Sequence, residues 1–236
     1  MFSRVVESVT KPGWPRAAAV TAAVVGIVLG ALFGTMAFVR WLTGGDIGLF
    51  VVVACGCLCA FAAGIAFATA AGFTDSFRVH PRRRHIPVIV GTVTGMYALT
   101  WLGMTIAATI DIPVSLMVPH TSGSPPSAVI AGVLVAILLI GPVEELLFRG
   151  ILMDAISRAS DWRTGVGVST IVFAVLHAVP LGSIDLTVVV YVACVAVGGG
   201  ILGIVYHRTR HLGVVALIHG LYDAVIIVAA AGYLPL

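Results

Sequence analysis

The chain has 236 residues, of which 60% are apolar and only 10% are charged, and its formal net charge is +3. This balance lies far outside the range of a soluble globular domain, so lipid must be the solvent of most of the chain. The positive charge does not indicate a nucleic-acid partner, because the arginines lie in short segments between apolar runs rather than along one solvated face.

Apolar runs between polar breaks predict seven membrane-spanning helices. About 20 helical residues cross a bilayer core about 30 Å thick, so a bundle of this size uses the whole chain. The predicted fold is therefore all-α, a polytopic transmembrane helical bundle with a cytoplasmic N-terminus. The predicted spans cover residues 17–42, 47–73, 87–110, 127–157, 165–180, 186–206 and 212–234.

The charges between the spans predict the orientation, because Lys and Arg mark cytoplasmic loops. The loops on the opposite side carry Asp46, Asp111 and Asp185 and contain no Lys or Arg. The composition, rich in Ala, Val, Gly and Arg with one Lys, is typical of a bacterial plasma-membrane protein. The basic residues on the side of the N-terminus are Arg4, Lys11, Arg16, Arg78, Arg82, Arg83, Arg84, Arg158, Arg163, Arg208 and Arg210.

The polar residues divide the chain into two parts of one integral bundle. The first three spans contain almost no ionisable side chains, so residues 1–126 are expected to shape the bundle and residues 127–236 to form its catalytic core. Segment 121–126, rich in Ser, Gly and Pro, is expected to be flexible and to gate access from outside. The four cysteines lie in apolar runs without metal-ligand spacing and are interpreted as small buried residues.

The fourth span contains two adjacent acids after a proline. Pro142 should remove a backbone hydrogen bond and disturb the helix, and a disturbed backbone at this depth usually lines a cavity. Glu145 and Arg149 are spaced i,i+4 and can form a neutralised pair, which by itself could simply let the span insert. Neighbouring helical side chains point about 100° apart, so Glu144 is left as the freer carboxylate.

Two histidines on other spans can join Glu144. His177 lies in the fifth span and His219 in the seventh, where Asp223 shares its face at i,i+4. A single intramembrane histidine more often serves helix packing. However, a rise of about 1.5 Å per residue places Glu144, His177 and His219 at comparable depths.

One carboxylate and two imidazoles in an apolar bundle can activate water in two ways. They can bind one divalent metal, zinc above all, and leave a position open for water. Alternatively, Glu144 and His177 hold and deprotonate the water without a metal, while His219 and its neighbour stabilise the oxyanion. The sequence leaves both possibilities open.

Three motifs in order resemble the CPBP family of CAAX proteases and bacteriocin-processing enzymes, over about residues 127–230. The resemblance implies peptide-bond hydrolysis at the membrane, with Glu144 as base, His177 positioning the water, and His219 with Asp223 at the oxyanion. It also implies membrane-associated substrates, prenylated or bacteriocin-type, although the family often has Asn in place of Asp223. The motifs are EExxxR at Glu144, Glu145 and Arg149, FxxxH at Phe173 and His177, and HxxxN/D at His219 and Asp223.

Two functions of other classes also fit the polar cluster. In a proton-coupled transporter the same Glu and His residues would form a relay across the bundle. In a non-catalytic immunity or binding scaffold they would recognise a partner. Substrate accumulation in sealed vesicles distinguishes the transporter, and a phenotype that survives substitution of Glu144 distinguishes the scaffold.

Overall fold

The computed structural model of the chain describes residues 13–43, 49–74, 77–110, 125–181 and 185–235. In these ranges it has seven helices long and apolar enough to cross a membrane, and no strand, which confirms the predicted fold class and number of spans. Arg4, Lys11, Asp46, Asp111 and most of segment 121–126 lie outside the described residues. The helices are α1 (Trp14–Thr43), α2 (Leu49–Ala71), α3 (Ile86–Thr109), α4 (Pro126–Ala159), α5 (Trp162–Ala178), α6 (Leu186–Thr209) and α7 (Leu212–Ala230).

The observed helix ends follow local capping signals. α5 begins three residues earlier than predicted because the Asp161 carboxylate accepts hydrogen bonds from the backbone N–H groups of Arg163 and Thr164, at 2.8 and 3.2 Å. α7 ends at Ala230 rather than at 234 because Gly232, with φ of 88°, reverses the chain. These differences change the lengths of the spans but not their order.

α4 is an irregular helix, as the proline predicts. π-helical turns at Ala136–Ile140 and Leu146–Met153 flank a short α-helical stretch, Gly141–Glu145. The N–H of Gly141 donates to the carbonyl of Ala136, five residues back, so the chain widens just before Pro142. The two predicted acids therefore lie at the end of a short segment held between two wider turns, an irregularity common at functional sites.

The Arg-rich segments gather at one end of the bundle, which we call the basic end. The guanidinium of Arg16, at the start of α1, donates to the carbonyl of Ala71, at the end of α2, at 2.9 Å. The N–H of Gly213, at the start of α7, donates to the carbonyl of Arg78, ahead of α3, at 2.9 Å. The odd-numbered helices therefore begin at the basic end, and the even-numbered helices finish there.

The cysteines do not match the prediction that all four are buried. Cys55 and Cys57 are half-buried, whereas Cys59 and Cys194 are exposed. A small apolar side chain needs no protein cover when lipid is the solvent, so an apolar run in a membrane protein does not predict burial inside the bundle.

Two glycines allow α4 and α7 to cross in backbone contact. A Cβ atom at Gly141 would lie 2.6 Å from the carbonyl oxygen of Ala216 and 2.7 Å from the nitrogen of Gly220. A Cβ atom at Gly220 would lie 2.7 Å from the Cα of Ile137. No side chain fits at either position, which is the usual way in which membrane helices approach closely. This crossing brings the acids of α4 beside the histidine of α7.

We expect Gly220→Ala to lower the free energy of unfolding by about 1–3 kcal/mol, because its methyl group meets the backbone of α4. The measurement is thermal unfolding in detergent. Gly200→Ala in α6 is the matched control, since a Cβ atom there would have no atom within 4 Å. The control should be neutral or slightly stabilising, because Ala favours helix more than Gly. Equal melting temperatures for the two variants would contradict the close crossing.

Candidate active site

Glu145 and Arg149 form the predicted pair, fully buried inside the bundle. Nη1 of Arg149 donates to Oε1 of Glu145 at 2.9 Å, and the exposed fractions of the two side chains are 1% and 0%. Nη2 of Arg149 donates to the carbonyl oxygen of Gly199 in α6, also at 2.9 Å. A Cβ atom at Gly199 would lie 3.1 Å from the ring of Phe173, so the glycine lets α6 approach closely enough to accept this bond. The pair thus ties α4 to α6.

His219 lies between the two glutamates. Its Nδ1 donates to Oε1 of Glu145 at 2.8 Å, and its Nε2 lies 3.7 Å from Oε2 of Glu144. The same Nε2 lies 3.5 Å from Oδ2 of Asp223, one turn along α7. The adjacent acids point in different directions, as predicted, but one imidazole reaches both because its two nitrogens face opposite ways.

His177 approaches Glu144 from α5. Its Nδ1 lies 2.9 Å from the carbonyl oxygen of Phe173, and a carbonyl can only accept, so this nitrogen carries a proton. The other nitrogen, Nε2, then faces Oε2 of Glu144 at 3.9 Å. In both histidines Nδ1 is engaged by the protein and Nε2 is turned toward the same carboxylate.

The carboxylate of Glu144 is left unpaired at the meeting point. Among the described residues, no group forms a hydrogen bond to its Oε2, although this atom is buried. Gaps of 3.7 Å to His219 and 3.9 Å to His177 are too long for direct hydrogen bonds, and one water molecule can bridge all three groups. The structure therefore brings together the three residues that the sequence singled out, around a place suited to a water.

The ring of Phe173 packs against the side chains around Glu144. Its ring centroid lies 4.4 Å from that of His177 and 4.9 Å from that of Phe148, and the guanidinium carbon of Arg149 lies 4.7 Å from it. The ring is almost fully buried. Phe173 therefore fixes the plane of one histidine and covers the buried arginine, in addition to its carbonyl bond with His177.

Glu144, His177, His219 and Asp223 line one largely apolar cavity of about 540 Å³. Thr100 and Tyr222 also line it and join α3 to α7 through a hydroxyl–hydroxyl contact of 2.8 Å. Thr100 and Tyr191, which both line the cavity, carry no recognisable signal in the sequence, because an isolated hydroxyl in an apolar span usually bonds its own helix.

Residues 126–225 match the protein family described as Type II CAAX prenyl endopeptidase Rce1-like. The matched segment begins with α4, ends within α7 and includes all seven residues of the three motifs. The match covers 100 of the 236 residues and supports the assignment of this segment to the CAAX protease family. No match was found among curated proteins or among solved structures. The match supports an intramembrane endopeptidase of the CAAX type in general for this multi-pass membrane protein.

Whether a zinc ion fits this site depends on the distances between the donor atoms of Glu144, His177 and His219. Neighbouring ligands of a tetrahedral zinc lie roughly 3.3 Å apart when the bonds are about 2.0–2.1 Å. Glu144 is 3.7 and 3.9 Å from the nearest nitrogens of His219 and His177. In the part of the chain that the structure describes, no group of three or more His, Cys, Asp or Glu side chains is placed so that it could hold a metal. As placed, these side chains do not fit the ion, and the reaction below involves only groups of the chain and water.

We expect Arg149→Met to lower the free energy of unfolding by about 3–5 kcal/mol, because it leaves the buried charge of Glu145 without its partner. The double variant Glu145→Gln with Arg149→Met should recover much of this loss, since glutamine is neutral and its carbonyl still accepts from His219. Unfolding in detergent measures both.

Arg158→Met is the matched control on the same helix, because Arg158 is paired at i,i+4 with Asp154 and its side chain is 45% exposed. Its effect should stay below about 1 kcal/mol. If Arg149→Met and Arg158→Met lower the free energy of unfolding equally, the buried Glu145–Arg149 pair does not hold α4 against α6.

Proposed function

We propose that the protein hydrolyses peptide bonds of membrane-associated substrates with a water molecule activated by Glu144. The observation that carries the proposal is the unpaired, buried Oε2 of Glu144, which faces Nε2 of both His177 and His219 at 3.9 and 3.7 Å. A buried carboxylate oxygen that faces two imidazole nitrogens without a direct hydrogen bond is placed as a general base would be.

The attacking water is held by two acceptors. One of its hydrogens points to Oε2 of Glu144 and the other to Nε2 of His177, whose lone pair is free because Nδ1 carries the proton. The water oxygen is then directed at the substrate carbonyl carbon. Glu144 takes one proton as the new C–O bond forms, and later returns it to the leaving amine as the C–N bond breaks.

His219 stabilises the oxyanion in this scheme. Its Nδ1 is fixed on Glu145, which turns Nε2 toward the reacting carbonyl, and a proton on Nε2 is available to the developing negative charge. An ionised Asp223 would repel that charge, so we assign Asp223 the role of orienting His219 from 3.5 Å. Glu145, Arg149 and Phe173 position the histidines and do not touch the substrate.

The apolar cavity indicates the class of substrate. Its walls accept an extended apolar segment or a lipid-modified side chain, in line with bacteriocin-type or prenylated peptides. We further propose that residues 127–236 form the catalytic core, supported by residues 1–126, since Met96 and Thr100 of α3 complete the cavity wall. The proposed location is a bacterial plasma membrane.

The packing of α4 beyond the acids favours hydrolysis over transport. Beyond the site, toward the basic end, α4 presents Leu147, Phe148, Ile151 and Leu152, which are at most 2% exposed. A transporter needs a path for its substrate to both sides of the membrane, whereas a protease needs one entrance for peptide and water. The buried apolar stretch of α4 beyond Glu144 is consistent with the second requirement.

We expect Glu144→Gln to reduce peptide cleavage by purified protein in detergent by about 10²–10⁴-fold, because it removes the general base and keeps the shape of the side chain. Thermal unfolding should remain close to that of the unchanged protein. Asp154→Asn, on the same helix but paired with Arg158, is the control and should keep its activity. Turnover retained by Glu144→Gln would falsify the assignment of the base.

Metal dependence is tested separately. Direct activation by Glu144 and His177 predicts that cleavage survives incubation with a strong chelator and that active protein contains far less than one zinc per chain. Elemental analysis of the same preparation provides the second readout. Activity that is lost with chelator and restored by zinc would replace this scheme with one in which the ion binds the water.

A further inference from the structure

A second cavity lies at the basic end, apart from the active site. Its volume is about 530 Å³, and none of its lining residues also lines the cavity of the active site. Its wall contains Arg78, Arg82 and Arg84 from segment 77–85, which precedes α3. Thr209 at the end of α6 and His211 at the start of α7 complete the wall on the other side.

Hydrogen bonds from the start of α7 hold segment 77–85 in place. Nδ1 of His211 accepts from the backbone N–H of Val214 at 3.2 Å, so Nε2 carries the proton and donates to the carbonyl of His80 at 3.0 Å. The N–H of Gly213 donates to the carbonyl of Arg78 at 2.9 Å. The His211 ring is almost fully buried. The cavity therefore has a fixed frame, in which both nitrogens of this ring are already used.

The ring of His85, also in the cavity wall, has more donors around it than it can accept. The backbone N–H of Arg82 lies 3.1 Å from its Nδ1, and Nε of Arg84 lies 3.3 Å from its Nε2. A neutral imidazole accepts at one nitrogen, and an imidazolium accepts at neither. In either protonation state, one of these donors lacks an acceptor on a ring that is only 9% exposed. An anion beside Arg84 would supply the missing acceptor.

The positive charge of the cavity is not balanced by acids. In the part of the chain that the structure describes, the arginines paired with a carboxylate are Arg149 and Arg158, and neither lines this cavity. No Asp or Glu among the described residues lines it either. Three guanidinium groups in one cavity wall favour phosphate, because each planar group can donate two parallel hydrogen bonds to phosphate oxygens.

The position of the cavity indicates a lipid as the source of the phosphate. His85 and His211 directly precede α3 and α7, so the cavity lies at the level where these spans begin. Val79 in the wall is exposed, and so are Ile86 and Val90, one turn apart at the start of α3. Exposed apolar side chains next to a cationic cavity match the acyl chains and the headgroup of one anionic lipid.

We propose that the cavity at the basic end binds the phosphate group of an anionic phospholipid. Arg78, Arg82 and Arg84 hold the phosphate oxygens, and the acyl chains lie along the exposed side chains at the start of α3. The bound lipid joins segment 77–85 to the ends of α6 and α7. This inference does not rest on the proposed function, because no residue of the active site takes part.

The test compares two neighbouring arginines in the full-length protein, purified in an uncharged maltoside detergent. Arg84 lines the cavity, whereas Arg83 is exposed and does not line it. Arg84→Gln and Arg83→Gln remove the same charge from the same segment. Phosphatidylglycerol in mixed micelles is titrated into each protein, and binding is measured by thermophoresis. Thermal unfolding without lipid verifies that both variants are folded.

We expect Arg84→Gln to weaken phosphatidylglycerol binding by about 10–100-fold, because it removes charge-assisted hydrogen bonds to the phosphate. Arg83→Gln should weaken it by less than about fivefold, the effect of one surface charge near an anionic lipid. Arg78→Gln, at a second position in the cavity wall, should resemble Arg84→Gln. Equal losses in Arg83→Gln and Arg84→Gln would overturn the site and leave these arginines as orientation signals.

Two further ligands test the source of the phosphate. Glycerol phosphate, which has no acyl chains, should bind at least about 100-fold more weakly than phosphatidylglycerol, because it buries no apolar chain. Phosphatidylcholine has acyl chains but no net charge, and it should not compete. Glycerol phosphate that binds as tightly as the lipid would overturn the lipid assignment. Phosphatidylcholine that competes equally would show that the arginines do not select the ligand, and would also overturn the proposal.

Discussion

One buried oxygen holds the active site together. Oε1 of Glu145 accepts hydrogen bonds from Arg149 at 2.9 Å and from His219 at 2.8 Å, in a side chain with no exposed surface. Arg149 continues the connection to the carbonyl of Gly199, so three helices share one charge-assisted network. A buried carboxylate is tolerable only with such partners, and the same partners fix the ring of His219. Glu145 is therefore engaged by other groups of the protein, and Glu144 is the carboxylate to which we assign the chemistry.

The network depends on how closely α4 and α7 approach. Gly141 and Gly220 allow the two backbones to touch, and the π turns around Gly141–Glu145 let α4 continue past Pro142 without ending. Neither feature carries chemistry. Both determine whether two acids on one helix can face opposite nitrogens of one imidazole on another, and in this sense local backbone irregularity determines the site.

The bundle is asymmetric along its axis. One half is packed around apolar residues of α4 and α7, and the other half contains the cavity. An intramembrane protease needs water at its reacting atoms and must exclude lipid from them, and a cavity enclosed by the helices and lined by the polar cluster suits both needs.

The sequence by itself determined the seven spans and the Glu145–Arg149 pair, because hydrophobicity and helical periodicity are local properties. It also singled out Glu144, His177 and His219, which the fold brings close together. It did not indicate that His219 contacts both glutamates, that Thr100 reaches Tyr222, or that two cysteines lie on exposed surfaces. Only the tertiary structure decided these points. Each depends on which faces of distant helices meet, and that is set by backbone contacts such as Gly141 against Gly220 rather than by any local pattern.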